Sequence, residues 1–323
     1  MSELGLLVMA YGTARSPEDV ERYYTDIRGG RPPAPELVEE LRGRYAAIGN
    51  MFPLERITRQ QAEALERELN AGEGPRYRAY LGWKHSPPHV PDVVRRMAED
   101  GMTEAVGIVM APHYSRMSIG GYADRVRQGL PEDGSLRVSM VESWYDHPRF
   151  VEALAARLRD ALGTLTEEER RDPLVIFTAH SLPEKILDHG DPYPDQLRES
   201  AELVSARAGI DVADVTTGWQ SAGRTPEPWL GPPLEEVIAK AVADGRTAAV
   251  VVPCGFVSDH LEILYDIDIE AQTTAREAGI RLVRTESMNA DPEFIRAVAA
   301  VVRDHVEALD HLRRQAPISK EQA

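Results

Sequence analysis

A histidine closes the strongly apolar run Pro173-Leu-Val-Ile-Phe-Thr-Ala-His180-Ser-Leu-Pro183, and the tract Gly190-Asp-Pro-Tyr-Pro-Asp-Gln196 follows within ten residues. Such a run reads as a buried parallel strand, and open α/β sheets place ligands outside the carboxyl ends of their strands. Of the nine histidines, His180 is therefore the best placed for chemistry. A second segment, Val252-Pro-Cys-Gly-Phe-Val-Ser258-Asp-His-Leu-Glu262, passes from strand to loop to helix. Ser258 is a candidate N-cap, and Asp259 sits close to the positive helix end. On that helix Glu262, Asp266 and Glu270 recur at i, i+4 and i+8, which aligns their carboxylates on one face. Like charges at this spacing cost about 0.2–0.5 kcal/mol per pair, and a cation would relieve the repulsion. A solvated acidic face is the plainer account of three such residues. Position favours chemistry, because Glu262, like His180, lies just past the carboxyl end of a predicted strand.

Neutral imidazole with carboxylate suits a labile divalent first-row metal, and the same pair accepts protons near neutral pH. Two ligands hold a metal loosely, as befits a metal that is a substrate; a fixed catalytic zinc usually has three protein ligands. A structural histidine satisfied at a strand end is the alternative for His180. Tyr11 ends the run Leu6-Leu-Val-Met-Ala-Tyr11-Gly-Thr13, where Gly12 permits close backbone approach. It either caps the core edge or contacts a ligand. Arg28, Arg31, Arg42 and Arg44 have the fork geometry that suits carboxylates. The chain uses arginine almost everywhere in place of lysine, so surface solvation accounts for most of them. His85 and His113 are second-rank cleft candidates, better read as structural hydrogen-bonding residues. Cys254 reads as a small buried hydrophobe.

Four apolar runs, at residues 5–10, 105–111, 174–178 and 248–253, must be the strands that carry these residues. Helical patterns cover 55–70, 91–100, 150–162, 195–208, 233–243, 260–278 and 292–312. Strands alternating with helices predict an α/β fold with parallel sheets. The run Gly101-Met-Thr-Glu-Ala-Val106 matches Gly245-Arg-Thr-Ala-Ala-Val250 at Gly, Thr, Ala and Val, which hints at two related halves divided near residues 140–150. Residues 12–53 fit the alternation poorly and are expected to form an irregular lip over a cleft. Past Leu312 the periodicity is lost, and 311–323 is expected to be a disordered tail.

At 323 residues and 42% apolar composition, the chain can bury a large core in about two domains. Its net charge of −16 disfavours nucleic acid and anionic membrane as partners. A single cysteine rules out an intrachain disulfide and a multi-cysteine iron–sulfur cluster held by this chain. With no basic n-region or long apolar segment, a cytoplasmic location is expected. No phosphate loop, dinucleotide fingerprint, His-Glu-x-x-His or Gly-x-Ser-x-Gly is present, so nucleotide-driven, zinc-protease and serine-hydrolase chemistries lose support.

The chain resembles the ferrochelatases, particularly the Gram-positive-type coproporphyrin III ferrochelatases, from Gly5 to about Val306. The most specific pieces are the Tyr11 segment, Glu-Arg-Tyr-Tyr24-Thr-Asp-Ile-Arg28, Arg44-Tyr45-Ala-Ala-Ile-Gly, Ala-His180-Ser-Leu-Pro-Glu-Lys, Gly-Asp-Pro-Tyr-Pro-Asp-Gln, Gly-Trp-Gln-Ser221, Pro-Trp-Leu-Gly-Pro232 and Gly-Phe-Val-Ser-Asp-His-Leu-Glu262. The resemblance implies two similar Rossmann-type domains with a porphyrin cleft between them. The first would comprise 1–141 plus a returning helix at 288–310, and the second 142–287. It implies that His180 and Glu262 meet ferrous iron on one macrocycle face, with Tyr11 as an axial contact on the other. Arg28, Arg44, Tyr45 and Tyr122 would position propionates and macrocycle, with Thr13, Lys84 and His85 nearby. The chain departs from the family at Gly29, often arginine, and Phe52, usually a serine that contacts a propionate, so those contacts do not carry over.

The implied reaction is ATP-independent insertion of Fe²⁺, as substrate, into coproporphyrin III for haem biosynthesis. His180 would accept a proton and loosely ligate iron, with Glu262 as partner. Asp266 and Glu270 would form an outer path for metal or protons, or hold a regulatory Mg²⁺. No tightly bound cofactor is expected. Porphyrin and iron are the expected partners of a monomer without stable membrane insertion, in transient contact with neighbouring haem-pathway enzymes. Competing readings are a protoporphyrin IX ferrochelatase, a cobalt or nickel chelatase, and a non-catalytic haem or porphyrin carrier. A carrier needs no deprotonating pair, so His180 and Glu262 favour the enzyme.

Overall fold

The computed structural model describes residues 3–315 apart from 73 and 224. The most apolar stretches become strands buried on both faces: Leu6, Leu7, Val8 and Met9 are fully buried, as are Val250, Val251 and Val252. In the first half the order is β1 (Glu3–Ala10), α1 (Val20–Ile27), α2 (Pro35–Ala47), α3 (Pro53–Asn70), β2 (Arg76–Trp83), α4 (Val90–Glu99) and β3 (Glu104–Val109). A π-helix (Arg116–Gly120), α5 (Gly121–Gly129) and β4 (Arg137–Val141) complete it. The second half contains α6 (Pro148–Gly163), β5 (Leu174–His180), α7 (Tyr193–Ala208), β6 (Val215–Gln220), α8 (Leu234–Ala243) and β7 (Ala248–Val252). A second π-helix (Ile263–Ala271), α9 (Gln272–Ala278), β8 (Arg281–Arg284) and α10 (Pro292–Gln315) follow.

Each half holds a four-stranded parallel sheet, ordered β2-β1-β3-β4 and β6-β5-β7-β8. The four apolar runs in the sequence are the central strands β1, β3, β5 and β7. The outer strands β2, β4, β6 and β8 escaped because sequences such as Val-Thr-Thr-Gly-Trp-Gln and Arg-Leu-Val-Arg lack an apolar run. Residues 12–53 are not irregular, as expected, but carry α1 and α2. These helices enclose a small separate core of Val20, Tyr23, Val38, Tyr45 and Ile48, too narrow a face to stand out as a periodic pattern. The predicted helix at 260–278 is a π-helix followed by a short α-helix. α10 runs three residues past its predicted end at 312, so 311–315 are helical. Residues 316–323 of the expected tail lie outside the described residues.

The halves repeat one another in detail. After Trp83 and Trp219 the chain makes a cis peptide, at Pro87-Pro88 and Gly231-Pro232, and the Trp83 and Trp219 amides donate to Pro88 and Pro232 carbonyls at 3.0 and 2.9 Å. Gly101 and Gly245 end α4 and α8 with φ of 84° and 85°, a left-handed conformation that glycine adopts freely. The similar runs that start there bring Ala105 and Ala249 into β3 and β7, where they pair with Gly5 and Leu174. Counting along β1 and β5 from those pairs places Tyr11 and His180 at equivalent positions. α10 then ties the halves together. Phe294 packs on Trp144 and Phe150 with ring centroids 6.1 and 6.2 Å apart, while His305 Nε2 lies 2.7 Å from Ser139 Oγ of β4.

Helix packing here depends on Gly129, where a Cβ would sit 2.5 Å from the Pro91 carbonyl oxygen and 2.8 Å from Val94 Cβ. Alanine gains up to about 1 kcal/mol of helix propensity over glycine, but overpacking against a backbone costs about 1–3 kcal/mol. Gly129→Ala is therefore expected to lower the apparent Tm by several degrees. Gly163→Ala, at the end of α6 with nothing within 4 Å of its Cβ, is expected to leave Tm unchanged or raise it slightly. Thermal unfolding of both variants followed by circular dichroism checks the pair.

Candidate active site

β5 delivers His180 to the rim of its sheet, and the loop after β7 crosses directly above. That crossing needs Gly255, because a Cβ there would stand 2.5 Å from Ala179 Cβ. The Gly255 amide donates to the Thr178 carbonyl at 3.1 Å. His180 Nδ1 donates to the Ser181 carbonyl, so its proton is fixed on that nitrogen. The other ring nitrogen, Nε2, faces Glu262 Oε1 across 3.7 Å. This is longer than a hydrogen bond and leaves an interval that a cation or shared proton can occupy. About a third of each side chain is exposed, at 33% and 32%.

Glu262 has a second imidazole neighbour. His260 Nδ1 donates to the Ser258 carbonyl at 2.9 Å, and His260 Nε2 lies 3.5 Å from Glu262 Oε2. Burial alone would raise the Glu262 carboxyl, but the neighbouring imidazoles of His180 and His260, with Arg44, outweigh it and hold it down at about 2. Burial likewise opposes charge on His260, and the Glu262 carboxylate overcomes it, raising His260 above its ordinary value. His260 was not singled out from the sequence, although its place two residues before Glu262 was the available signal.

The opposite wall is built around Tyr11, the counterpart of His180. Gly12, at φ 102°, lets the chain pass over Ser86, since a Cβ there would meet Ser86 Oγ at 2.6 Å. The Tyr11 ring, 42% exposed, packs against the His85 ring with centroids 4.6 Å apart. Its phenol is pushed well above the ordinary value by desolvation, then by the charges of Glu262 and Asp26. His85 is buried and not itself in the cavity wall; desolvation takes it down to about 4, against the Asp26 hydrogen bond. Lys84 Nζ lies 5.0 Å from the Tyr122 ring centroid and donates to the Met117 carbonyl at 3.3 Å. Desolvation, with Arg125 nearby, lowers Lys84 to about 8. Thr13 Oγ1 and the Tyr45 hydroxyl are 3.2 Å apart, and Phe52 stacks on Tyr45 at 4.4 Å.

Between these walls lies a cavity of about 660 Å³, within the size range of small-molecule sites. Tyr11, Thr13, Arg44, Tyr45, Lys84, Tyr122, His180 and Glu262 all line it. Arg28 does not; it is exposed at the C-terminal cap of α1. Met117, Trp229 and Phe256 are wall residues that had not been assigned a role from the sequence. His113 reaches the wall, but its Nε2 lies 2.8 Å from Ser200 Oγ and burial drives it down to about 3, a structural histidine as expected.

Asp266 and Glu270 lie in the π-helix rather than an α-helix, and Glu262 is the residue that precedes it. Four residues fall just short of a π turn and slightly exceed an α turn, so either winding keeps Glu262, Asp266 and Glu270 in one band. The buried residues Ile263, Ile267 and Ala271 form the adjoining band. Asp266 is 5% exposed and fully engaged: Arg44 Nη1 donates to Oδ1 at 3.4 Å and the Ser221 hydroxyl donates to Oδ2. Burial and the Glu262 charge raise Asp266 to about 6, against the Ser221 and Arg44 interactions. Arg44, on α2, also lies 3.6 Å from Glu40 and 5.1 Å from the Tyr265 ring centroid. Among the described residues no three histidine, cysteine or carboxylate side chains converge as a metal cage. Each Asp266 oxygen already accepts one hydrogen bond, from Arg44 and from Ser221.

The Gly190–Gln196 tract turns out to join the halves. Asp191 accepts hydrogen bonds from Ser115 Oγ at 3.0 Å and the Arg116 amide at 2.9 Å, and Gln196 Oε1 accepts from the Tyr114 amide at 2.7 Å. Tyr193 donates from its hydroxyl to the His180 carbonyl at 3.1 Å. The tract therefore sets His180 against the first half's π-helix and, through it, against Met117.

The ferrochelatase family model matches residues 3–306. The chain is 48% identical over 302 residues to the coproporphyrin III ferrochelatase of Bacillus subtilis, covering 93% of this chain and 97% of that protein. It is 48% identical over 314 residues to the coproporphyrin III ferrochelatase of Anoxybacillus flavithermus, covering 97% of each. Among solved structures, SirB from Bacillus subtilis with Fe³⁺ superposes with a TM-score of 0.59 at 14% identity, over 94% of this chain and 95% of that one. The sirohydrochlorin chelatase SirB of Bacillus subtilis subspecies spizizenii, in complex with cobalt, gives 0.56 at 14% identity, over 95% and 96%. These two likenesses concern the fold alone: paired parallel sheets with helices on their faces. With a family match spanning nearly the whole described chain and two relatives near one-half identity, this chain belongs to the ferrochelatase family.

Proposed function

We propose that this protein inserts ferrous iron into coproporphyrin III, giving iron coproporphyrin in haem biosynthesis. The observation that carries the reading is the His180–Glu262 pair, 3.7 Å apart on the wall of a cavity whose other wall presents Tyr11. Family membership and the names of the two relatives support the same reaction.

The reaction exchanges two pyrrole protons for one Fe²⁺ and needs no nucleotide. Glu262 stays ionised at working pH, so it attracts the cation and stabilises the imidazolium formed when His180 Nε2, once it has released the metal, takes one pyrrole proton; the second proton passes to water in the open cleft. Tyr11, at the equivalent position of the other repeat, meets the opposite macrocycle face. Arg44 and Lys84 supply positive charge to propionates; burial already favours the uncharged Lys84 amine, and a carboxylate beside it restores the charge. Thr13, Tyr45 and Tyr122 shape the wall, and His85 supports Tyr11. Arg28, outside the wall, acts only if a propionate reaches the mouth. Asp266 and Glu270 continue the negative potential of Glu262 outward and draw the hydrated cation inward.

In this reading the domain boundaries fall at 1–141 with 288–310, whose described residues carry the Tyr11 wall, and at 142–287, whose described residues carry His180 and Glu262. No described helix is long and apolar enough to cross a membrane. In this reading the protein works as a cytoplasmic monomer that passes its product on by transient contact with neighbouring haem-pathway enzymes.

Anaerobic Fe²⁺ insertion followed by absorbance, with coproporphyrin III and protoporphyrin IX side by side, tests the assignment; faster turnover of protoporphyrin IX, or none of either, overturns it. His180→Ala and Glu262→Gln are each expected to slow insertion by about 10²–10⁴-fold, the usual contribution of a positioned proton acceptor, while coproporphyrin still binds as judged by fluorescence quenching. The acidic row gives a pH signature. Asp266 is neutral below about 6 and charged above it, so KM for Fe²⁺ is expected to rise as pH falls through that value. Asp266→Asn should flatten this rise, and Glu270→Gln should increase KM for Fe²⁺ about five-fold at pH 7, equivalent to roughly 1 kcal/mol of lost attraction at a solvated position.

A further inference from the structure

Asp26, on α1, lies between two histidines from the loop after β2. Its Oδ1 is 2.8 Å from His85 Nδ1, and its Oδ2 is 3.6 Å from His89 Nε2. An ionised carboxylate only accepts, so the proton of this bond resides on His85 Nδ1. In the neutral ring, Nε2 is then a bare acceptor. The same His85 is locked to Tyr11 twice, through its backbone amide, which donates to the Tyr11 carbonyl at 2.8 Å, and through the ring contact at 4.6 Å. The His85 side chain is only 10% exposed, so bulk water has little access to it. His89 Nδ1 is buried without a hydrogen-bond partner, and the Asp26 carboxylate at 3.6 Å is the one charged group paired with that ring among the described residues.

We propose that Asp26 is a positioning residue for the Tyr11 wall: by accepting the Nδ1 proton of His85 it fixes that ring's tautomer and plane, and so the seat of Tyr11 beneath the macrocycle. The logic is that of a carboxylate that orients a catalytic histidine, transferred to a histidine that touches a ligand-facing tyrosine. Asp26 belongs to the lip and His85 to the sheet rim, so the bond also makes the seating of Tyr11 depend on the lip being docked. The catalytic consequence rests on the iron-insertion reading; the tautomer itself does not.

The test is ¹⁵N NMR of the imidazole nitrogens in the full-length protein, combined with insertion kinetics, for the unmodified chain and Asp26→Asn. The unmodified His85 is expected to show one tautomer, with a protonated Nδ1 and a bare Nε2. In Asp26→Asn the amide can turn either its oxygen or its nitrogen to the ring, so the single-tautomer signal is expected to be lost. kcat is then expected to fall about ten-fold or more with KM for porphyrin changed by less than about two-fold, as for other groups that orient a ligand-bearing side chain. Asp26→Glu, which keeps the carboxylate, is expected to recover part of both. A protonated Nε2 in the unmodified protein overturns the proposal, as does an Asp26→Asn chain that changes only the tautomer or only kcat. Failure of the unmodified protein to insert iron overturns the reaction assignment instead, and leaves the tautomer result standing.

Discussion

A carboxylate in a cleft lined largely by side chains keeps its charge only if positive groups or donors compensate its lost water. Glu262 meets that condition with His180 on one oxygen at 3.7 Å and His260 on the other at 3.5 Å. Much of the surrounding structure follows from this triangle. Gly255 exists so that the loop carrying Glu262 can cross β5 closely enough to reach His180. Gln61 of α3 donates to Ser258 Oγ at 2.9 Å, pinning the same loop from the other half, and to the Asn289 carbonyl at 2.7 Å. The charge of Glu262 in turn raises His260 and, after burial, Asp266.

The repeat explains why the cleft has two different working walls. Equivalent strand ends project Tyr11 from one half and His180 from the other, a phenol against an imidazole at matching sites. The surroundings then diverge. His180 is served by residues on its own half, whereas Tyr11 is served by His85 and, through it, by Asp26 on the lip. Arg44 crosses from α2 to Asp266 and closes the circuit between lip and acidic row.

The central strands and the positions of His180 and Glu262 were legible in the sequence because both follow apolar runs buried on two faces. The outer strands were not, since β6 and β8 have one poorly covered edge and tolerate threonine and arginine. The acidic row was legible as a row but not as a π-helix, because a four-residue spacing satisfies both windings. α1 and α2 were hidden by prolines and a narrow buried face. The Asp26–His85 bond joins residues 59 apart, and no local pattern marks such a pairing. Arg28 was legible as part of a motif, and its side chain stands outside the cavity wall.

The central claim is that a divalent metal enters between His180 and Glu262, opposite Tyr11. The most direct measurement is an anomalous difference map from crystals of the protein soaked with Zn²⁺, a redox-inert stand-in for ferrous iron. The account predicts a peak about 2.0–2.2 Å from His180 Nε2 and a Glu262 oxygen, with water completing the shell. A peak on the Tyr11 wall or outside the cavity, with His180 and Glu262 unliganded, would contradict it.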